Sequence, residues 1–189
     1  MTPEQFRAET QRQSRELQNY IVNVFPARAG KIALRFIDGN FHAQGWQGAT
    51  FTPWKATADG HTPILIRRAF LLRSFHYITA PGQCTIFSNS PYAYVHNFGF
   101  HGTVQVKAYT RHKYTAKHIG TGRYNKNGTE RKKKIHMITG STEVRAHTRT
   151  MNIDQRQFMP EDQGDSPVFD NAIRREIIRE VTKIFEPRN

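Results

Sequence analysis

From Arg111 to Arg149 the chain carries eleven lysines and arginines against Glu130 and Glu143, so +9 of its net +13 falls within 39 residues. A segment of that charge density cannot enter a core without stranding cations away from water, so it must fold as a surface extension. Alternation flanks it on both sides. Before it, "TVQVKAYTRH" sets Val104, Val106 and Ala108 against Gln105, Lys107 and Tyr109. After it, "STEVRAHTRTM" sets Val144, Ala146 and Thr148 against Arg145, His147 and Arg149. A period of two predicts half-buried strands with basic outer faces. Between them "NGTE" contains Asn-Gly, the strongest short turn signal, which predicts that residues 111–149 form an extended basic hairpin arm or insertion.

The remainder reads as one domain, 1–189, a size that supports a single core. Aromatic residues reach 12% of the chain and are expected to build that core. Thr2 as N-cap, Pro3 at the first helical position and Gln5 closing a capping box start a long helix within residues 1–29, which "FPARAG" is expected to stop at Pro26 and Gly30. Phe6, Gln13, Leu17, Tyr20, Ile21 and Val24 recur along it at helical spacing. "KIALRFIDGNF" predicts a second, shorter helix to Phe41, and "GWQGATFTPWKA" a loop laying Trp46, Phe51 and Trp54 over the core. "ILIRRAFLLRSFHYITA" and "CTIFSN" read as strands joined by the turn "PGQ". In "SPYAYVHNFGFHG" Pro91 starts a short helix and Gly99 ends it. Ser166-Pro167 caps a last helix whose stripe is Phe169, Ile173, Ile177, Val181 and Ile184. The fold class expected is α+β: a long N-terminal helix, a mixed or antiparallel sheet of about four strands carrying the arm, and a C-terminal helix packed on the sheet.

Catalytic chemistry finds little to work with. Six of the nine histidines, His96, His101, His112, His118, His136 and His147, follow residue 95, but the acids between 95 and 150 are only Glu130 and Glu143. Hydrolytic metal sites want carboxylates beside histidines, so no metal and no catalytic residue is expected. "GTGRYNKNG" lacks the strand and helix that give a phosphate loop meaning, and no cofactor is expected. Cys84 alone forms no disulfide framework. No apolar run is long enough for a membrane span, and the polar N-terminus reads as helix rather than leader, so a soluble, unexported protein is expected.

The candidate contact residues are therefore the arm's cations: Arg111, Lys113, Lys117, Arg123, Lys126, Arg131, Lys132, Lys133 and Lys134. With Tyr109, Tyr114 and Tyr124 interleaved they can neutralise phosphates and stack bases, or meet an acidic protein surface. The charge leaves both open.

Four segments, in order, resemble the phage virion morphogenesis or tail completion family, which includes the G-like proteins of Mu-like prophages. "NFHAQGWQGATFTPWK" resembles its Phe, Gly-Trp and second-Trp loop, with Trp46 and Trp54; "ILIRRAFLLRSF" its Leu-rich turn ending in Arg-Ser. "YAYVHNFG" resembles its Tyr-Ala, His, Gly helix, with Tyr92, His96 and Gly99, and "IDQRQFM" its Arg-x-Phe segment, with Arg156 and Phe158. The chain departs from the family at Arg68-Ala69, where a small residue and Gly are usual, at Asp154 and at Pro160. The resemblance implies a non-enzymatic virion protein at the head–tail junction, assembled in the host cytoplasm. It would form a ring that joins tail to head, with its own copies, the portal or connector and the tail terminator or tail tube as partners. Packaged DNA would pass close by. On that reading Tyr92, Val95 and Phe98 pack inward, His96 and Asn97 bind backbone at the helix end, and Gly99 takes a left-handed cap. The alternative is a basic nucleic-acid-binding protein of the cytoplasm.

Overall fold

A computed structural model describes residues 2–186. Met1 of the expected N-terminal segment and residues 187–189 of the expected single domain lie outside the described residues. The chain is α+β and divides into two compact units, residues 1–100 with 153–189, and residues 101–152.

In the first unit, α1 (Pro3–Asn19) starts with the expected box: the Gln5 amide donates to Thr2 Oγ1 at 3.2 Å and the Thr2 amide to Gln5 Oε1 at 2.8 Å. The helix does not stop at Pro26 and Gly30. A π turn, Tyr20–Val24, carries it into α2 (Phe25–Ala43), with Pro26 in the first turn of α2 and Gly30 inside it. Pro26 has no N–H to give to the Val22 carbonyl four residues back, and that carbonyl instead accepts from the Gly82 amide at 2.8 Å. Gly30 lets the Tyr77 ring approach to 2.5 Å from where a Cβ would stand. Both supposed breakers are docking points for a distant hairpin. The helix ends at Gln44, whose φ of 58° is left-handed and whose side chain donates to the Phe41 carbonyl at 2.5 Å and the Ile64 carbonyl at 3.2 Å.

Strands β1 (Gly45–Gln47) and β2 (Phe51–Pro53) form a small antiparallel ladder, and β3 (Phe75–Ala80) pairs antiparallel with β4 (Gln83–Ser88) through the expected Pro-Gly turn. Trp46 and Trp54 are buried as expected, but Phe51 is exposed and lies across Gly45. The "ILIRRAFLLRS" stretch before β3 is not a strand. It is a chain of turns and one 3-10 turn, Leu72–Ser74, that buries Ile64 and Leu71 while Leu65 and Ala69 take left-handed φ of 62° and 50°. Ala69 therefore holds a conformation that favours glycine.

The core joins Ile37, Phe41, Trp54, Ile64, Leu71, Phe75 and Phe158, with Phe41 edge-on to Trp54 at 5.3 Å and Phe75 edge-on to Phe158 at 5.2 Å. The last helix, labelled α4 below because a short helix precedes it, is Pro167–Phe185. It packs on α2 and α1 rather than on a sheet. Ser166 caps it, accepting from the Phe169 amide at 3.2 Å. Phe169, Ile173, Val181 and Ile184 of the expected stripe are partly buried, but at its middle Glu176 is buried while Ile177 is exposed. The reason is Arg28 on α2, which donates to Glu176 at 2.6 Å and pairs with Glu180 at 2.7 Å. A hydrogen bond from Lys183, then one from Arg28, draws the Glu180 carboxyl down to about 2.

In the second unit, β5 (Phe100–Val106, whose first residue belongs to the first unit) pairs with β8 (His147–Ile153), and β6 (Tyr109–Tyr124) pairs antiparallel with β7 (Glu130–Val144). Among the described residues the strands thus fall into four two-stranded ladders rather than one sheet of about four. No described residue from 101 to 152 is buried.

Candidate functional site

The arm expected over residues 111–149 is the β6–β7 ribbon with the inner part of β8. Sixteen residues of β6 extend about 50 Å at the usual rise, and every one of them is exposed. The tip is the Asn-Gly turn: Asn125 donates to the Thr129 carbonyl at 2.9 Å, and Gly128, at φ 75°, to the Asn125 carbonyl at 3.0 Å. Near the tip the Gly122 amide donates to Glu130 at 2.9 Å and Arg131 to Asn125 at 2.8 Å. An isolated hairpin is marginal in water, and this one has no other described strand beside it.

All nine candidate cations are exposed, but the ribbon does not bring them all together. Opposed residues share a face, so the register Lys117↔Ile135 and Ile119↔Lys133 puts Arg111, Lys113, Lys117, Arg131 and Lys133 on one side with Tyr109, Ile119 and Met137. The register His118↔Lys134 and Gly120↔Lys132 puts Lys132 and Lys134 on the other, with Tyr114, Ile138 and the histidines 112, 118 and 136. A bulge at Thr139 keeps these faces aligned across Lys113 and Tyr114. Arg123 and Lys126 sit at the tip. Among the described residues, no ion pair involves any of the nine.

The other residues singled out belong to the first unit and form a packing seam. Trp54 Nε1 donates to the Gln157 carbonyl at 2.8 Å, Arg156 Nε donates to the Lys55 carbonyl at 3.1 Å, and the Arg156 amide donates to the His96 carbonyl at 2.7 Å. Phe158 is buried against Phe41 and Phe75, and Trp46 meets Phe36 edge-on at 5.5 Å. The short helix α3 (Ala93–Phe98) departs from expectation: Tyr92 is 58% and Phe98 44% exposed, because Asn97 is the side chain it turns inward. Asn97 Oδ1 accepts from the amides of Phe158 at 3.0 Å and Met159 at 2.9 Å, the backbone role expected of it. The His96 Nδ1 is buried without a partner, and burial, then the Arg156 charge, lowers its pKa. Gly99 has positive φ, 74°, but its ψ of 170° is extended, so it is a kink into β5 rather than a left-handed cap.

Asn40 was not singled out by sequence, yet it is fully buried and works opposite Asn97. Its Nδ2 donates to the Phe158 carbonyl at 3.1 Å and its Oδ1 accepts from the Gln47 amide at 3.0 Å. Two asparagines thus clamp the backbone around Phe158. The one local signal they share is an Asn-Phe pair on a helix, at 40–41 and 97–98.

Among the described residues, no three of His, Cys, Asp and Glu are placed to hold a metal ion, and no helix is long and apolar enough to cross a membrane. No protein-family model, curated protein or solved structure matches the chain.

Proposed function

We propose that this chain is a structural, non-enzymatic protein of a tailed-phage virion, one subunit of a ring at the head–tail junction that joins tail to head. The observation that carries the reading is the second unit: 52 residues, 101–152, ordered into ladders with no buried residue. Two-stranded ladders with both edges open are stabilised by what they dock on, which suits a subunit completed by neighbours. The four motif segments that resemble the tail completion family supply the placement at the neck. Its partners would be further copies, the portal or connector, and the tail terminator or tail tube, with packaged DNA close by and assembly in the host cytoplasm. Removing the protein from a producing phage should leave full heads and finished tails unjoined in the lysate. Finished, infectious particles lacking it would overturn the reading.

A second reading, a nucleic-acid-binding protein of the cytoplasm, is favoured by one feature. A two-stranded ribbon fits the major groove, and five cations with Tyr109 share one face of this one. Mass separates the two: a ring of many copies in particles supports the first, a monomer or dimer on nucleic acid the second.

A further inference from the structure

The first unit holds an open apolar cleft of about 320 Å³ between β4, α3 and residues 158–160. Its lining includes the tilted ring pair Tyr94 and Phe98, centroids 4.7 Å apart and 70% and 44% exposed, together with Phe87 on β4 and Met159. Large rings left in water beside a cleft mark a docking surface. The chain leaves the cleft at Pro160 directly into an acidic turn: Glu161, Asp162 and Asp165 follow within five residues. The turn is ordered, since Asp165 Oδ2 accepts from the Glu161 amide at 3.1 Å and from Gln157 Nε2 at 2.6 Å. Among the described residues, none of these three acids is in an ion pair. Arg156, the nearest cation in sequence, spends its guanidinium on the carbonyls of Lys55, Asp154 and Ala56.

An occupant must therefore be apolar where it enters the cleft and cationic where it crosses the acidic turn. The β6–β7 ribbon has that alternation on both faces, and among the described residues its cations are in no ion pair. We propose that the Tyr94–Phe98 cleft with its acidic rim receives the basic ribbon of a second copy of this chain. The two patches differ and each is complementary to the other, so the contact is heterologous and propagates from copy to copy into a ring or filament. This deepens the ring reading and rests on it only for closure at the neck.

Sedimentation of the full chain after nuclease treatment tests the contact, with thermal melting of each variant to verify the fold. The wild type should self-associate with concentration, and less in high salt. The arm variant Lys132→Glu, Lys133→Glu, Lys134→Glu and the cleft variant Tyr94→Asp, Phe98→Asp should each associate about a hundredfold more weakly or worse. If Phe98→Asp lowers the melting temperature, Tyr94→Asp alone decides, because that ring is mostly in water. Mixed in equal amounts, the two defective proteins should form a pair of two chains, since the intact arm of one meets the intact cleft of the other. A wild type that is monomeric at every concentration, a variant that assembles normally, or a mixture that fails to pair overturns the contact. Pairing in a phage that joins heads and tails without the protein would remove the neck reading and leave this contact standing. Joining that needs the protein, with no pairing, would do the reverse.

Discussion

Gly99 and Asn97 are neighbours with opposite demands, one on backbone and one on side chain. A Cβ at residue 99 would lie 3.1 Å from the Gln155 amide nitrogen and 3.2 Å from the Ile153 carbonyl, both backbone atoms that cannot swing away. The φ of 74° adds strain of its own, so Gly99→Val should destabilise the first unit by about 2–3 kcal/mol. Calorimetry should show this as a lower melting temperature, and an unchanged value would refute the kink. His96 reads out pH. Its half-buried ring resists protonation, so its folded pKa is below the value near 6.5 that it has when unfolded. Its contribution to stability is therefore intact above about pH 6.5 and is lost as pH falls below that value and through the lower folded pKa, because the unfolded chain takes up a proton there that the folded one does not. His96→Gln should therefore shrink the drop in melting temperature between pH 7.5 and 5.5. An equal drop in both proteins would show that other groups carry it.

At the scale of elements, what could be read from sequence was local and what could not was distant. Thr2 and Ser166 as caps, Pro81-Gly82 and Asn127-Gly128 as turns, and the alternation of β5 depend on neighbours within a few residues. Pro26 and Gly30 were misread as a helix end because the groups that explain them, the Gly82 amide and the Tyr77 ring, arrive from a hairpin some fifty residues on. On α4 the stripe departs from expectation only at Ile177, because the neighbouring buried residue is Glu176, a carboxylate held by Arg28, 148 residues away. The arm was foreseen as an exposed hairpin, but the split of its cations between two faces needs the register and the bulge at Thr139, which composition does not carry. The same register tests the arm's independence. Deleting residues 121–135 joins Gly120 to His136 and leaves Lys117–Gly120 as a four-residue turn closing the Ala116↔His136 pair. No core residue lies in the second unit, so melting of the first unit should be unchanged while assembly is lost. A cooperative loss of the whole fold would mean that the ribbon's outer half belongs to the core after all.

For the molecule as a whole the question is what a +13 chain does with +9 of that charge gathered between residues 111 and 149. Changing Lys132, Lys133 and Lys134 to Gln separates the partners. If the ribbon gripped duplex DNA, each lost phosphate contact would flatten the salt slope of binding by about 0.9. Lys132 and Lys134 face one way and Lys133 the other, so a duplex lying on one face would lose about 0.9 or about 1.8, not the sum of all three. If the ribbon serves assembly instead, the slope should stay as it was and full heads should accumulate beside finished tails. We expect the second outcome. A junction must hold its neighbours permanently and let DNA pass without gripping it, and the acidic turn 161–165 offers the lysines a protein surface of the right sign. A flattened slope with normally joined particles would reverse that assignment and give the ribbon to nucleic acid.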